Sequence, residues 1–368
     1  MGRSVSSALP ALTYIPADVV CAADYARRAP DHLDAAVWAY LSGGAADEVT
    51  LRENTAAFEA LKLLPRVLND VRGGHTGLEL FGQAMAHPFL LAPVGWQRLF
   101  HPAGELASAQ AATVMDTVFS VSTYSTTGIE DIAAQSRIAP WFQIYFQRER
   151  EDTERLVRRA EQAGCRALIV TVDAPVNGPR NREQKAGFAL PVAMRAANLP
   201  ATANADFTGQ GVFGGAMAKS PTWDDVAWLC GLTSLPVIMK GVLHPDDAAR
   251  ALDSGARGIG VSSHGGRVLD TVPAAIQALP AVARRVNGVA PILFDSGIRR
   301  GTDAFKALAL GAQAVMVGRP YLQALSVAGA LGVAHLLRTL REELELTMAL
   351  MGCAKLSDIS GAHLFCPP

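Results

Sequence analysis

Charge is scarce in this chain and evenly divided. Charged residues make up 18% of the 368, with 33 Lys and Arg against 34 Asp and Glu and a net charge of −1. Such a balance exerts no electrostatic pull on nucleic acid or an anionic lipid surface, so neither partner is expected. Cysteine is as sparse: Cys21, Cys165, Cys230, Cys353 and Cys366 are scattered, odd in number and form no C-x-x-C pair. Neither a disulfide framework nor a zinc site is suggested, and a reducing, cytoplasmic setting is the expectation. No uncharged apolar run approaches the roughly 20 residues of a membrane span. The apolar stretches of the N-terminus are interrupted by Pro10 and Pro16, against a signal-peptide pattern. Met1-Gly2 with Ser6 fits the myristoylation pattern, which is short enough to arise by chance, and no membrane attachment is expected.

What the chain has is apolar material in short, regularly spaced runs. Hydrophobic residues reach 50%, enough for a large core. From Pro88 onward, eight β-type runs alternate with stretches of helical period: PFLLAPVG, TVFSVSTY, WFQIYFQ, ALIVTVDA, LPVIMKGV, GIGVSSH, PILFDSG and AVMVGRP. Eight alternating units predict an α/β fold, a (β/α)8 barrel. Several intervening helices open on an acidic turn, as in REDTERL, TWDDVAW and PDDAARA, which suits the helix dipole. The fourth and fifth runs start 68 residues apart, against 23 to 33 elsewhere. The excess lies in a Gly, Ala and Pro-rich stretch over residues 192–220, readable either as a mobile lid over the barrel mouth or as an insertion without a role. Residues 1–87 form an N-terminal helical segment in which YLSGGAADEVTLREN predicts a helix broken at Gly43-Gly44 and restarted. With the barrel over residues 88–345, the whole of residues 1–368 reads as one domain.

Barrel enzymes carry their chemistry at the C-terminal ends of the strands. Unusual polar residues stand at that end of every run here: Gln97, Tyr124, Gln143 and Tyr145, Asp173, Lys240, His264, Asp295 to Arg299, and Arg319. The sixth run continues as VSSHGGRVLD, with His264 and Arg267 three residues apart across two glycines. Glycines cost backbone entropy and an arginine resists burial unless an anion meets it, so a substrate carboxylate is one answer. In the seventh and eighth runs, FDSGIRRG and VGRP place glycines and arginines just before helices, which suits the phosphate of a cofactor or substrate. The other histidines show no metal-ligand spacing, and no metal is expected.

An ordered set of motifs, YLSGGAADE, LAPVGWQRLFHPAGE, WFQIYF, TVDAPVNGPRNREQKAGFALP, SPTWDDVAWL, VIMKGV, VSSHGGRVLD, FDSGIRRGTDAFKALALGA and VGRP, covers nearly the whole chain. In that order it resembles the FMN-dependent α-hydroxy-acid oxidase and dehydrogenase family. The resemblance implies bound FMN and oxidation of a 2-hydroxy acid to a 2-oxo acid. It makes His264 the active-site base, Asp173 its partner, Tyr145 the ligand of the 2-hydroxyl, and Tyr40, Arg180 and Arg267 the carboxylate ligands. Arg180 fits the family spacing to Asp173 and Phe188, and Arg182 is the fallback. Lys240 corresponds to the lysine beside flavin N1 and O2. Ser122, Gln143, Thr171 and Ser262 correspond to isoalloxazine ligands, and Pro93, Val94 and Gly95 to the backbone along the ring. Asp295, Ser296, Gly297, Arg299, Gly318 and Arg319 correspond to ribityl and phosphate contacts. Whether hydride or carbanion electrons leave the substrate is left open.

Ser263 and Ser296 depart from the family's usual asparagine and glycine. Gly95, where small-substrate members carry alanine, and Tyr124, where glycolate oxidase carries tryptophan, are read as enlarging the pocket. A mandelate-like acid, larger than glycolate, is therefore expected. The insertion after the fourth run is short and lacks the long apolar or strongly basic face that would anchor it to a membrane as in the family's membrane-bound dehydrogenases, so O2 is the expected acceptor with release of H2O2, and the resemblance implies a homotetramer. A quinone-linked dehydrogenase, a monooxygenase, an FMN-dependent isomerase and a non-catalytic flavin-binding protein are the alternatives.

Overall fold

Eight short runs whose side chains are buried on both faces have one stable arrangement, a parallel sheet covered by helices. The computed structural model, which describes residues 8–200 and 211–365, shows it. The strands are β1 Phe89–Leu91, β2 Ser120–Val121, β3 Trp141–Ile144, β4 Leu168–Thr171, β5 Val237–Val242, β6 Gly258–Val261, β7 Ile292–Phe294 and β8 Ala314–Val317. Each pairs in parallel with the next from β2 to β8, and β8 pairs with β1 through Val315–Phe89, Met316–Leu90 and Val317–Leu91. A parallel bridge between Leu91 and Phe119 joins β1 to the approach of β2, so the sheet closes into a (β/α)8 barrel. Leu90, Trp141, Ile169, Ile238, Leu293 and Met316 fill its interior, as in a packed core rather than a pore.

Helices follow the strands where the period placed them, at Gly104–Val114, Arg150–Gln162, Trp223–Leu232, Pro245–Asp253 and Gly301–Ala309. Two of the acidic first turns, at Asp225 and Asp303, serve as caps. Asp225, for one, accepts from the backbone N–H of Thr222 at 2.8 Å and closes the start of Trp223–Leu232. The last helix, Arg319–Met351, is long and apolar enough to cross a membrane by length and composition. It does not read that way in the fold, because 78% of its apolar window is buried. It is also interrupted at Ala328 and Gly329, and the N–H of Leu12 donates to Val327 O there at 2.7 Å.

Before the barrel come helices Ala22–His32, Ala35–Ser42 and Val49–Ala60, the last two separated by the expected break. A hairpin of Leu78–Leu80 and Gln83–Met85 turns through Phe81 and Gly82, both at positive φ, a geometry that matches strand twist. Phe81 packs edge-on to Trp141 at 5.5 Å and plugs the barrel floor. Of the stretch expected to be a lid, residues 201–210 lie outside the described residues, as do Met1, Gly2 and Ser6 of the myristoylation pattern. The near end of that stretch is tied down: Ala197 N–H donates to Ser125 O at 2.8 Å, and the buried Asn198 side chain accepts from Ile129 N–H at 3.1 Å.

Candidate active site

A cavity of about 1320 Å3 opens at the C-terminal ends of the strands. That exceeds the roughly 300–1,000 Å3 usual for a small-molecule site and has room for a nucleotide-sized cofactor beside a substrate. Tyr40, Pro93, Val94, Gly95, Ser122, Gln143, Tyr145, Thr171, Arg180, Lys240, His264, Arg267, Asp295, Ser296, Gly297, Arg299, Gly318 and Arg319 all line it. Asp173 and Ser262 do not; they stand behind the lining and hold residues that do. Arg182 points elsewhere, pairing with Glu48 and Ser42.

The loop after β6 places the imidazole. His264, Gly265 and Gly266 have φ of 53°, 62° and 70°, three left-handed residues in succession. For a histidine that backbone is strained and persists only where its surroundings fix it. Ser262 Oγ accepts from His264 N–H at 2.9 Å, Ser296 Oγ accepts from the N–H groups of Ser263 and Gly265 at 3.2 and 3.0 Å, and Gly266 O accepts from Ala45 N–H at 2.8 Å. The Ser296 hydroxyl, expected to face a cofactor, thus also ties the His264 loop to the end of β7. Ser263 Oγ meets Asn54 of the helix Val49–Ala60 at 2.9 Å.

Asp173 Oδ1 lies 2.8 Å from His264 Nδ1. With Nδ1–H donated to the carboxylate, Nε2 is left as the proton acceptor. Burial works against ionised Asp173, but the charge and hydrogen bond of His264 and the charge of Lys240 outweigh it and hold its pKa below the ordinary range. The carboxyl needs Gly241 beside it, because a Cβ there would sit 2.4 Å from the Asp173 carboxyl carbon. Asp173 Oδ2 is buried without a partner among the described residues.

Lys240 is buried at the end of β5. Its Nζ lies 2.9 Å from Asp295 Oδ2 and donates to Ser262 Oγ at 3.0 Å. Burial pulls its pKa down, yet Asp295 and Asp173 more than restore it, so the ammonium is kept. Burial raises the Tyr145 phenol well above its ordinary pKa, reinforced by the Asp173 charge, so it stays protonated. Arg267 Nη1 donates to the carbonyls of Tyr40 and Gly43 at 2.7 and 2.9 Å, with its guanidinium 5.1 Å from the Tyr40 ring centroid. The Tyr40 ring in turn stacks on Phe188 at 4.5 Å. Arg180 Nε is buried with no partner among the described residues.

Two further observations bear on FMN. Gln143 Oε1 accepts from Thr123 N–H at 3.2 Å and Ser122 Oγ at 3.3 Å, which fixes the amide and leaves Nε2 a buried donor with no partner among the described residues. An orphaned donor of that kind suits a flavin ring acceptor. On the far side, Arg299 stands just before the helix Gly301–Ala309 and Arg319 opens the helix Arg319–Met351, and neither makes an ion pair with a carboxylate among the described residues. Withdrawal from water lowers the pKa of both, that of Arg319 well below the ordinary value with Arg267 and Arg299 adding to it. Cations gathered without an anion at helix N-termini fit a phosphate. The residues present therefore fit FMN.

Two lining residues escaped the sequence reading. Trp96 stacks on Tyr124 at 5.6 Å, and Tyr124 lies 5.5 Å from Tyr145, making an aromatic wall in which the motif holding Trp96 had given that residue no role. Phe188, used only as a spacing mark, is the surface on which Tyr40 rests. One reading needs correction. Gly95 does not open space, because a Cβ there would stand 2.7 Å from Tyr124 Cβ and 2.9 Å from Tyr124 O. The missing methyl lets the Tyr124 segment close in.

A model of the family described as FMN-dependent dehydrogenase matches residues 29–365. An L-lactate oxidase of Alicycliphilus denitrificans is 50% identical over 351 residues, covering 94% of this chain and 96% of that protein. Glycolate oxidase 1 of Oryza sativa subsp. japonica is 41% identical over 348 residues, covering 93% and 94%. A crystal structure of mandelate oxidase with (S)-2-phenylpropionate matches with a TM-score of 0.86 at 42% identity, covering 94% of this chain and 98% of that one.

Proposed function

The chain belongs to the FMN-dependent dehydrogenase family, and on that premise we propose that it oxidises an (S)-2-hydroxy acid to the 2-oxo acid while O2 is reduced to H2O2. Two electrons and two protons leave the acid and both pairs end on oxygen. The observation that carries the reading is the His264–Asp173 pair at 2.8 Å, facing a cavity that Arg180 and Arg267 also enter.

FMN, when bound, supplies the acceptor for the two electrons. The chain's own residues do the rest. Arg267 and Arg180 bind the carboxylate, with the Tyr40 phenol beside them, and fix the acid in one orientation. The protonated Tyr145 phenol holds the 2-hydroxyl. His264 Nε2 takes a proton from the acid, and the Asp173 carboxylate stabilises the imidazolium that results. Lys240, charged and held by Asp295, places a cation against developing negative charge. Gln143 Nε2 and the cations Arg299 and Arg319 would hold the cofactor at its ring and at its phosphate.

The acid accepted is proposed to be larger than glycolate, with mandelate as the test case. Support comes from the similarity to mandelate oxidase, and no longer from Gly95. The test is anaerobic addition of glycolate, L-lactate and (S)-mandelate to FMN-loaded protein, watching the flavin absorption near roughly 450 nm. Bleaching by a 2-hydroxy acid, followed under air by one H2O2 per acid consumed, is the expected result. No bleaching across the panel would overturn the reading. Bleaching without peroxide would assign another acceptor, and a glycolate preference over mandelate would overturn the size proposal.

A further inference from the structure

The first turn of the helix Gly104–Val114 buries Glu105 completely, at 0% exposure. A carboxylate so placed is costly unless its lone pairs are filled. No basic side chain pairs with it among the described residues. Its partners are instead the backbone and hydroxyls of two cavity-lining loops. Oε1 accepts from Gln97 N–H at 3.1 Å and Thr126 N–H at 2.9 Å, while Oε2 accepts from the hydroxyls of Thr126 and Thr127. Gln97 belongs to the loop after β1, and the two threonines to the loop after β2.

These loops carry the aromatic wall. Trp96 precedes Gln97 and has a φ of 59°, left-handed and strained for a bulky residue. Its N–H donates to Tyr124 O at 2.9 Å, and the two rings stack at an interplanar angle of 19°. The network continues inward. The Gln97 side chain donates to Val94 O at 3.1 Å and Tyr321 Oη at 2.9 Å, and accepts from Ser108 Oγ at 2.7 Å. Tyr321 Oη donates to Ala92 O at 3.0 Å. Behind Trp96 and Tyr124 the two loops are thus tied to each other through the Glu105 carboxylate, with the Gln97 amide reaching further in, and the strained Trp96 backbone is held by the residue directly after it.

We propose that Glu105 is a positioning residue for side-chain selectivity: by joining the loops after β1 and β2 it sets the separation of Trp96 and Tyr124, and so how large a substrate side chain the wall admits. The inference rests on the functional reading above. It also makes a statement about pocket shape that needs no turnover.

The experiment compares Glu105→Leu, Glu105→Gln and Thr126→Val as FMN-loaded protein. Two ratios are read: kcat/KM for (S)-mandelate over L-lactate, and, from perturbation of the flavin spectrum, the affinity for phenylacetate over acetate, which carry no hydroxyl to oxidise. Leucine keeps the volume but leaves the N–H groups of Gln97 and Thr126 unanswered, so the loops part. Both ratios are expected to move toward the larger ligand by about tenfold or more. Glutamine retains Oε1 for the two N–H groups and offers its amide to hydroxyls that can turn to accept, so it stays within about twofold of wild type. Thr126→Val, which removes one hydroxyl only, moves the ratios about two- to threefold in the same direction and serves if the leucine variant fails to fold. Unchanged ratios in a folded leucine variant, or in the valine variant where leucine does not fold, overturn the proposal, as does a glutamine variant that behaves like leucine. If wild type is reduced by no 2-hydroxy acid, the functional reading fails, and the phenylacetate to acetate ratio alone still decides the role of Glu105.

Discussion

Asp173 faces His264 at 2.8 Å and Asp295 faces Lys240 at 2.9 Å, while on the other side of the same cavity Arg299 and Arg319 meet only main-chain carbonyls. At the first end the imidazole and the ammonium each have a carboxylate inside the protein before any ligand arrives, while Arg267, which like Arg299 and Arg319 meets only main-chain carbonyls, is left for the acid. Groups paired with a carboxylate are oriented, with their protonation fixed by neighbours. At the second end the chain accepts the cost of gathering cations without an anion, which is repaid only when one binds. The difference separates residues that act on a ligand from residues that hold one, and it predicts different phenotypes for changes at the two ends.

The largest effect belongs to His264. Replacing it with Asn removes the proton acceptor, and the rate of anaerobic flavin reduction is expected to fall about 10^3- to 10^4-fold, the upper range for a general base. FMN affinity, which rests on Gln143, Arg299 and Arg319 rather than on His264, should stay within about twofold by fluorescence titration. A parallel loss of FMN would break the division between the ends. Asp173→Asn is next, with about a 10^2-fold loss in kcat/KM, because the imidazolium loses its counter-charge while the loop geometry persists. Its partners hold the wild-type carboxyl below the ordinary range, so that carboxyl stays ionised at every pH at which the protein is assayed. The loss should appear in the rate of anaerobic flavin reduction with FMN affinity unchanged, and an Asn variant within about twofold of wild type would argue against a charge role.

Arg299→Met inverts the pattern. Arg299 makes one side-chain hydrogen bond, from Nη1 to Ile298 O at 2.8 Å, so the apo-protein loses little and sheds a desolvated charge. Its thermal midpoint should hold or rise, while the FMN Kd rises about 10- to 100-fold, the worth of a charge-assisted contact of about 1.5–3 kcal/mol. A fall in apo stability with unchanged FMN affinity would make Arg299 a fold residue.

How much of this was visible in the sequence depends on how far apart the partners lie. The barrel was legible because its strands are continuous apolar runs, a local signal produced by burial on both faces. The unpaired cations at the phosphate end were legible too, since FDSGIRRG and VGRP carry their glycines and arginines together. The His264–Asp173 pair spans 91 residues and was reached only through family resemblance. Gly95 was misjudged because its meaning lies in Tyr124, which a different strand delivers. Glu105 was passed over for a similar reason. In the first turn of a helix a glutamate reads as a dipole complement, and nothing local shows that two neighbouring loops bury it.

Asp270 tests whether the acid-binding end is as self-contained as its ion pairs suggest. This residue ends the VSSHGGRVLD stretch and is 8% exposed. Its carboxylate accepts from the N–H groups of Asp47, Val49 and Thr50 at 3.1, 3.2 and 2.8 Å, capping the helix Val49–Ala60. That joins the loop of His264 and Arg267 to the segment bearing Tyr40 and Gly43, whose carbonyls receive Arg267. Burial raises the Asp270 pKa, but the backbone donors prevail and hold it below the ordinary value. Because the folded pKa is the lower one, its stabilisation is complete above the unfolded value of about 4 and is lost as pH falls through the folded pKa. Asp270→Asn keeps one acceptor oxygen and surrenders the other, so the carboxylate clamp loosens while the base stays in place. KM for the 2-hydroxy acid should rise about three- to tenfold with kcat within twofold. Wild-type and variant stabilities, separated at pH 7, should converge below pH 4. An unchanged KM with the same convergence would show that the N-terminal segment shapes the fold without serving the acid, and the contrast between the two ends would then lie wholly within the barrel.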